Sequence, residues 1–128
     1  MQFGELAALR EAEWPRWAAE CGLPYFPSCS PGWDATPRGA WHPSEPPDRF
    51  PWSPVVVDGS PAAFGAHVAA AEAFAATQCA THDGRPLEPA TFLASWNEWT
   101  EGHAIEPAER AGDAWLAALP PRARLRRA

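Results

Sequence analysis

The sequence predicts an α/β fold with parallel strands, and three observations carry that prediction. Segments with helical spacing alternate with short apolar runs bounded by turn formers. Strands alternating with helices call for parallel pairing and right-handed crossovers. A polar, acidic cluster follows directly on the last apolar run, where the end of a parallel strand in an α/β barrel would carry an active site. Only two strands are readable, however, and an all-parallel sheet buried on both faces needs more neighbours than that. The chain therefore reads as part of a larger sheet.

Taken in order, Phe3, Leu6, Leu9 and Ala12 or Glu13 give residues 1–20 a helical spacing that Gly22 and Pro24 end. Pro15 is expected to break or kink this helix, because it lacks the N–H and clashes with the preceding turn. Residues 23–30 (LPYFPSCS) are short, apolar and flanked by turn formers, which suits a buried strand. Residues 31–54 contain seven prolines and three tryptophans and predict a long irregular connection, a kind of segment more often functional than idle. Residues 55–58 are briefly extended. Ser60 then reads as an N-cap with Pro61 at the first helical position, opening a helix to about Gln78 with Phe64, Val68, Ala71 and Phe74 or Ala75 along one stripe. Residues 81–89 (THDGRPLEP) predict a loop, residues 91–96 (TFLASW) a buried strand, and residues 108–119 a last helix with Ala111, Trp115 and Leu119 inward.

The chain has 128 residues, enough for one domain and not two, with 16 acidic against 10 basic residues and a net charge of −6. An acidic chain without a basic stripe excludes nucleic acid as a partner, since phosphate binding needs clustered Lys and Arg. The basic residues gather only at the C-terminus, where residues 121–128 are expected to form a frayed tail. No apolar run approaches the roughly 20 residues of a membrane span. No basic-then-apolar leader opens the chain, so the expectation is a cytoplasmic location. Cys21, Cys29 and Cys79 are odd in number and lack CxxC spacing, which points to reduced thiols, with neither a disulfide framework nor a metal site, and no cofactor. Eight tryptophans either fill a core or line a surface that binds flat apolar faces.

The chemistry concentrates in residues 95–107, SWNEWTEGHAIEP, which place Asn97, Glu98, Glu101, His103 and Glu106 between and beyond Trp96 and Trp99. Glu98 and Glu101 stand three apart, which in a helical turn brings Cβ atoms to about 5–6 Å. Retaining glycosidases hold their carboxyl groups about 5–5.5 Å apart, so one turn would supply both. Like charges that close push one carboxyl toward its protonated form, leaving an acid beside a base. Asn97 would either bind a sugar hydroxyl or cap the turn. Gly102 reads as a turn residue with positive φ. Glu106 reads as a partner for backbone donors at the start of the last helix, and His103 as either a site residue or a solvent-facing loop histidine.

This segment closely resembles the signature of the glycoside hydrolase family 99-like group, which includes the WbsX-like proteins. An NEW-x-EG…EP run there ends a late barrel strand and precedes a G-x-x-[WY]-L helix, matched by residues 112–116. Residues 30–41, SPGWDATPRGAW, resemble the family's PG-[WFY]-D-x-T-x-R segment. The likeness spans roughly residues 23–119 and implies that residues 1–120 are the C-terminal part of a (β/α)8 TIM-type barrel, incomplete in this chain. A whole barrel takes about 250 residues, so a missing N-terminal barrel segment is an implied partner.

The resemblance also implies roles. Glu98 would act as base on the substrate's own 2-hydroxyl, giving an anhydro-sugar, and Glu101 as acid/base at the glycosidic oxygen. Asp34 and Arg38 would sit on the rim, either binding sugar or, through an Asp34–Arg38 salt bridge, shaping the loop. Trp33, Trp41, Trp96 and Trp99 would be stacking platforms, and Asn97 a substrate contact. Where the characterised mannosidases tend to have histidine between the motif glutamates, this chain has Thr100, which places it nearer the WbsX-like members.

The expected function is an endo-acting glycoside hydrolase on an α-linked glycan such as mannan, with an oligo- or polysaccharide as partner. The alternatives are a glycosyltransferase-like protein of O-antigen-type polysaccharide biosynthesis, or an inactive truncated fragment. As an isolated piece the chain would expose the apolar edge of residues 91–96 and associate.

Overall fold

The computed structural model describes residues 1–41, 48–78 and 81–121; the side chain of Trp41, Cys79 and the basic run 122–128 lie outside the described residues. In chain order the elements are α1 (Phe3–Glu20), β1 (Ser28–Cys29), a 3-10 turn (Thr36–Trp41), α2 (Pro61–Ala75), β2 (Thr81–His82), β3 (Arg85–Pro86), β4 (Phe92–Leu93), β5 (Asn97–Glu98), a second 3-10 turn (Trp99–Glu101), β6 (His103–Ala104) and α3 (Ala114–Ala117).

Helix α1 runs through Pro15 without a break. The proline withdraws only the hydrogen bond to the carbonyl of Glu11, while the Ala, Glu and Arg around it favour helix. Its buried stripe is Phe3 and Trp14, with Leu6 and Ala7 half-buried, and Leu9 is left 55 % exposed. A 3.6-residue period places Phe3, Ala7 and Trp14 on one face and Leu9 on the other.

Helix α2 begins as the sequence predicts, the Ser60 hydroxyl accepting from the Ala63 N–H at 3.2 Å with Pro61 in the first turn. Phe64, Val68, Ala71 and Ala75 are fully buried against α1 and α3, forming the core with Phe3, Trp14, Cys29, Ile105 and Leu119. His67 joins this face because its ring has a polar partner and is packed. Nδ1 lies 2.8 Å from a Glu11 carboxylate oxygen, and the ring stacks on Trp14 at 5.3 Å. Burial pushes the Cys29 thiol up to about 12, so it packs as a small apolar group.

The two apolar runs pair in parallel, Ser28 opposite Phe92 and Cys29 opposite Leu93. Both are shorter than expected, and on the β1 side Pro24 and Pro27 offer no N–H for a ladder. Residues 55–57 run alongside the N-terminus through a Gln2–Val57 bridge, with the Phe3 N–H donating to the Val57 carbonyl at 2.9 Å. Residues 81–86, expected as a loop, form a hairpin around Asp83 and Gly84, whose φ values of 50° and 74° suit a type I′ turn. The last helix is one turn long, because Ala108 and Gly112 exchange backbone hydrogen bonds and Gly112 takes φ 54°, which a right-handed helix excludes. Trp115 still packs on Phe64 and Leu119 is still buried. No helix among the described residues is long and apolar enough to cross a membrane.

Candidate active site

The acidic segment folds as a hairpin built directly on the end of β4. The Ala94 N–H continues the parallel ladder to the Cys29 carbonyl at 2.8 Å. Ser95 then clasps both arms: its hydroxyl accepts from the Glu98 N–H and donates to the His103 carbonyl, each at 3.0 Å. Asn97 pairs with Ala104 and Glu98 with His103, and Ile105, 4 % exposed, roots the hairpin in the core. At the tip the chain passes through the 3-10 turn and reverses at Gly102, whose φ is 65° as its turn role requires. Glu98, as its cap, and Glu101, as its last residue, therefore share this one 3-10 turn at the tip of a hairpin.

The upstream motif closes over this tip. The Asp34 N–H donates to the Glu101 carbonyl at 2.8 Å, and Gly102 lies so close that a Cβ there would meet the Asp34 N and Cβ at 2.9 Å. The Asp34 carboxylate turns back to Thr36, accepting from its N–H at 2.9 Å and its hydroxyl at 2.6 Å, which starts the 3-10 turn carrying Arg38. Arg38 does not pair with Asp34. Its guanidinium reaches Glu98 Oε1 at 3.1 Å, Glu101 Oε1 at 2.6 Å and Thr100 Oγ1 at 3.0 Å. The Thr100 hydroxyl in turn donates a hydrogen bond to Glu98 Oε1 at 2.6 Å.

The electrostatics of Glu98 follow from these contacts. The Thr100 hydroxyl first, and then Arg38, hold its carboxyl below the usual glutamate range, against the upward push of partial desolvation. Glu98 is thus ionised at neutral pH, half-exposed, with a cation fixed beside it.

His103 is buried, contrary to the solvent-facing alternative. Its Nε2 lies 2.9 Å from Glu101 Oε2, and its ring stacks at 5.4 Å on Trp33. Trp33 in turn stacks on Phe50 at 5.4 Å and donates its indole N–H to the Pro51 carbonyl at 2.8 Å. Its ring is engaged within the protein, so it braces the site; it is not an open platform. Trp96 and Trp99 remain about half exposed, at 51 % and 52 %. The Trp99 indole donates to Glu106, which serves the site's own turn; the last helix starts only after Asp113. Asn97 is exposed on β5, and the cap position of the 3-10 turn is Glu98, with no side-chain cap, so Asn97 does not cap it.

The structure therefore puts Arg38 in direct contact with Glu98 and Glu101, carries Asp34, Asn97, Trp96 and Trp99 on the same two segments, adds Thr100, and decides for His103 the site alternative that the sequence had left open. Among the described residues no group of three or more His, Cys, Asp or Glu is arranged to hold a metal ion.

No curated protein and no solved structure matches the chain. A family model described as Glycosyltransferase WbsX matches residues 11–119. The match covers most of the chain and both motifs that meet at Arg38, and the protein belongs to this family of carbohydrate-active proteins.

Proposed function

We propose that this protein acts on an α-linked oligo- or polysaccharide as a glycoside hydrolase or transglycosylase, with Glu98 as base and Glu101 as acid. The observation that carries this reading is the shared guanidinium: Arg38 binds both carboxylates at once, on a hairpin that also carries two half-exposed indoles. Exposed indoles suit the apolar face of a sugar ring, and a carboxylate held ionised suits proton abstraction. In the reaction Glu98 takes the proton of the 2-hydroxyl as its oxygen bonds to the anomeric carbon. The bond from that carbon to the leaving glycan breaks, and Glu101 protonates the departing oxygen. Water, deprotonated by Glu101, then opens the anhydro-sugar at the anomeric carbon while Glu98 returns the proton to the 2-oxygen. The configuration is retained through substrate participation, in place of the covalent glycosyl-enzyme route.

The scaffold in this reading is the C-terminal part of a (β/α)8 barrel. The parallel β1–β4 pair and the placement of both glutamates just beyond β4 support it, since such barrels carry their chemistry at the C-terminal ends of strands. The missing strands would come from an N-terminal barrel segment.

The family description favours a second reading, transfer of a sugar onto a growing polysaccharide. The experiment is to incubate the longest reading frame containing this chain with α-linked mannan, with and without nucleotide-sugar donors, and to follow products by mass spectrometry. Shortened glycans without a donor, lost by several orders of magnitude in Glu101→Gln, support hydrolysis. Product that forms only with a donor overturns it in favour of transfer. Unchanged cleavage by Glu101→Gln overturns the acid assignment.

A further inference from the structure

Glu101 is gripped from two sides. One carboxylate oxygen takes the Arg38 guanidinium at 2.6 Å, and the other faces His103 Nε2 at 2.9 Å. We propose that His103 is a positioning residue for Glu101, locked as the tautomer with its proton on Nε2 and presenting Nδ1 as an acceptor to the cavity behind the site. This rests on the reading of Glu101 as the acid of the pair, yet its test needs no turnover.

The tautomer follows from elementary hydrogen bonding. While Glu101 is ion-paired with Arg38, before it takes up the proton it delivers as acid, its oxygens only accept, so the nitrogen facing it must carry hydrogen, and in a neutral ring the other nitrogen is then a lone pair. Stacking on Trp33 at an interplanar angle of 16° fixes the plane of the ring. A ring flip would keep that stack but surrender Glu101. Nδ1 is buried and has no hydrogen-bond partner among the described residues. His103 lines a cavity of about 160 Å³ together with Ser30, Arg10, His67 and Trp33, a space polar and large enough for water or a hydroxyl group that donates to Nδ1.

The polar groups around the ring are few. Glu101 contacts it, Glu98 stands opposite it in the hairpin register, and Arg38 of the first 3-10 turn sits behind both carboxylates. Arg10 of α1 and His67 of α2 share the cavity wall. Of these, Glu101 alone makes a direct polar contact with His103, and it should dominate.

The test is a two-bond proton–nitrogen correlation on the ¹⁵N-labelled full chain, which reads the tautomer directly. The His103 signal is assigned by its loss in His103→Gln, or by elimination with single substitutions of His42, His67 and His82 should that variant fail to fold. Magic-angle spinning on sedimented protein reads the same nitrogen shifts if the chain associates. The expected result is the Nε2–H tautomer, with that preference lost in Glu101→Gln, whose amide can donate to Nε2 as well as accept from it, and kept in Glu98→Gln. A proton on Nδ1, or a tautomer preference indifferent to Glu101→Gln, overturns the proposal. A protein that cleaves no glycan would leave this result standing, so the two failures are distinguishable.

Discussion

Replacing Gly102 by alanine tests whether the two sequence motifs form one mechanical unit. At φ 65° an L-residue costs roughly 1–2 kcal/mol in backbone strain alone. The added Cβ would also meet the Asp34 N and Cβ at 2.9 Å, a contact with backbone that no side-chain rotation relieves. Relief requires the two 3-10 turns to separate, at the expense of the Asp34 N–H to Glu101 carbonyl bond, adding about 1–1.5 kcal/mol for that hydrogen bond and more for residual overlap. The total is about 2–4 kcal/mol. Gly112→Ala is the control, because φ there is 54° but nothing lies within 4 Å of the new Cβ, so it should cost only the backbone term. The assay is urea unfolding of the chain followed by tryptophan fluorescence. With a urea slope of about 1–3 kcal/mol per molar, Gly102→Ala should unfold about 1 M earlier than Gly112→Ala. Equal midpoints for the two variants would refute the claim that Asp34 and Gly102 are packed backbone to backbone.

Three further outcomes follow from the same geometry. Thr100→Val and Arg38→Met should each raise the Glu98 titration midpoint, seen by carbon-detected NMR of its carboxyl. Glu98's folded value lies below its unfolded one, so its contribution to stability is present above the ordinary glutamate range and fades as pH falls through the lowered value; both variants should narrow that acid-side dependence. Phe64→Ala, which empties the centre of the core under α2, should cost about 3–5 kcal/mol in the same urea assay. At pH 8 the exposed Cys21 should alkylate with iodoacetamide while Cys29, buried and pushed up to about 12, stays unmodified until urea unfolds the chain, as peptide mapping would show.

What the sequence made legible was local and periodic. Ser60-Pro61 announced the start of α2 because an N-cap and a first-turn proline are decided within four residues. The Phe64, Val68 and Ala71 stripe was readable for the same reason. Leu9 was misplaced because Phe3, Leu6 and Leu9 fit a spacing of three, whereas a straight helix drifts and selects Phe3, Ala7 and Trp14. Two hairpins went unread although each carried its signal. Asp83-Gly84 is a type I′ pair, and Gly102 four residues after Glu98 marks the left-handed position that closes a short hairpin loop. Taking that second signal would have paired Glu98 with His103 and carried the histidine inward.

Arg38 was beyond such reasoning, because its partners lie some sixty residues away and a nearer acid was available. From sequence, Asp34 is the obvious counter-ion, four residues back. Yet the Asp34 carboxylate is already occupied by the Thr36 N–H and hydroxyl, both donors at short range within its own turn. That local satisfaction leaves the guanidinium free, and the turn it initiates aims Arg38 across the gap to Glu98, Thr100 and Glu101. The same capping explains how two carboxylates three positions apart stand on one exposed hairpin tip: the cation between them is delivered by the Asp34–Thr36 turn. Loss of the Asp34 side chain should therefore act on Glu98 at a distance. Asp34→Ala leaves every direct contact of Glu98 chemically intact but loosens the turn that holds Arg38, so the Glu98 midpoint should rise as it does in Arg38→Met. Were that midpoint unmoved while Arg38→Met still raised it, Arg38 would be held by the glutamates themselves and Asp34 would have no part in presenting it.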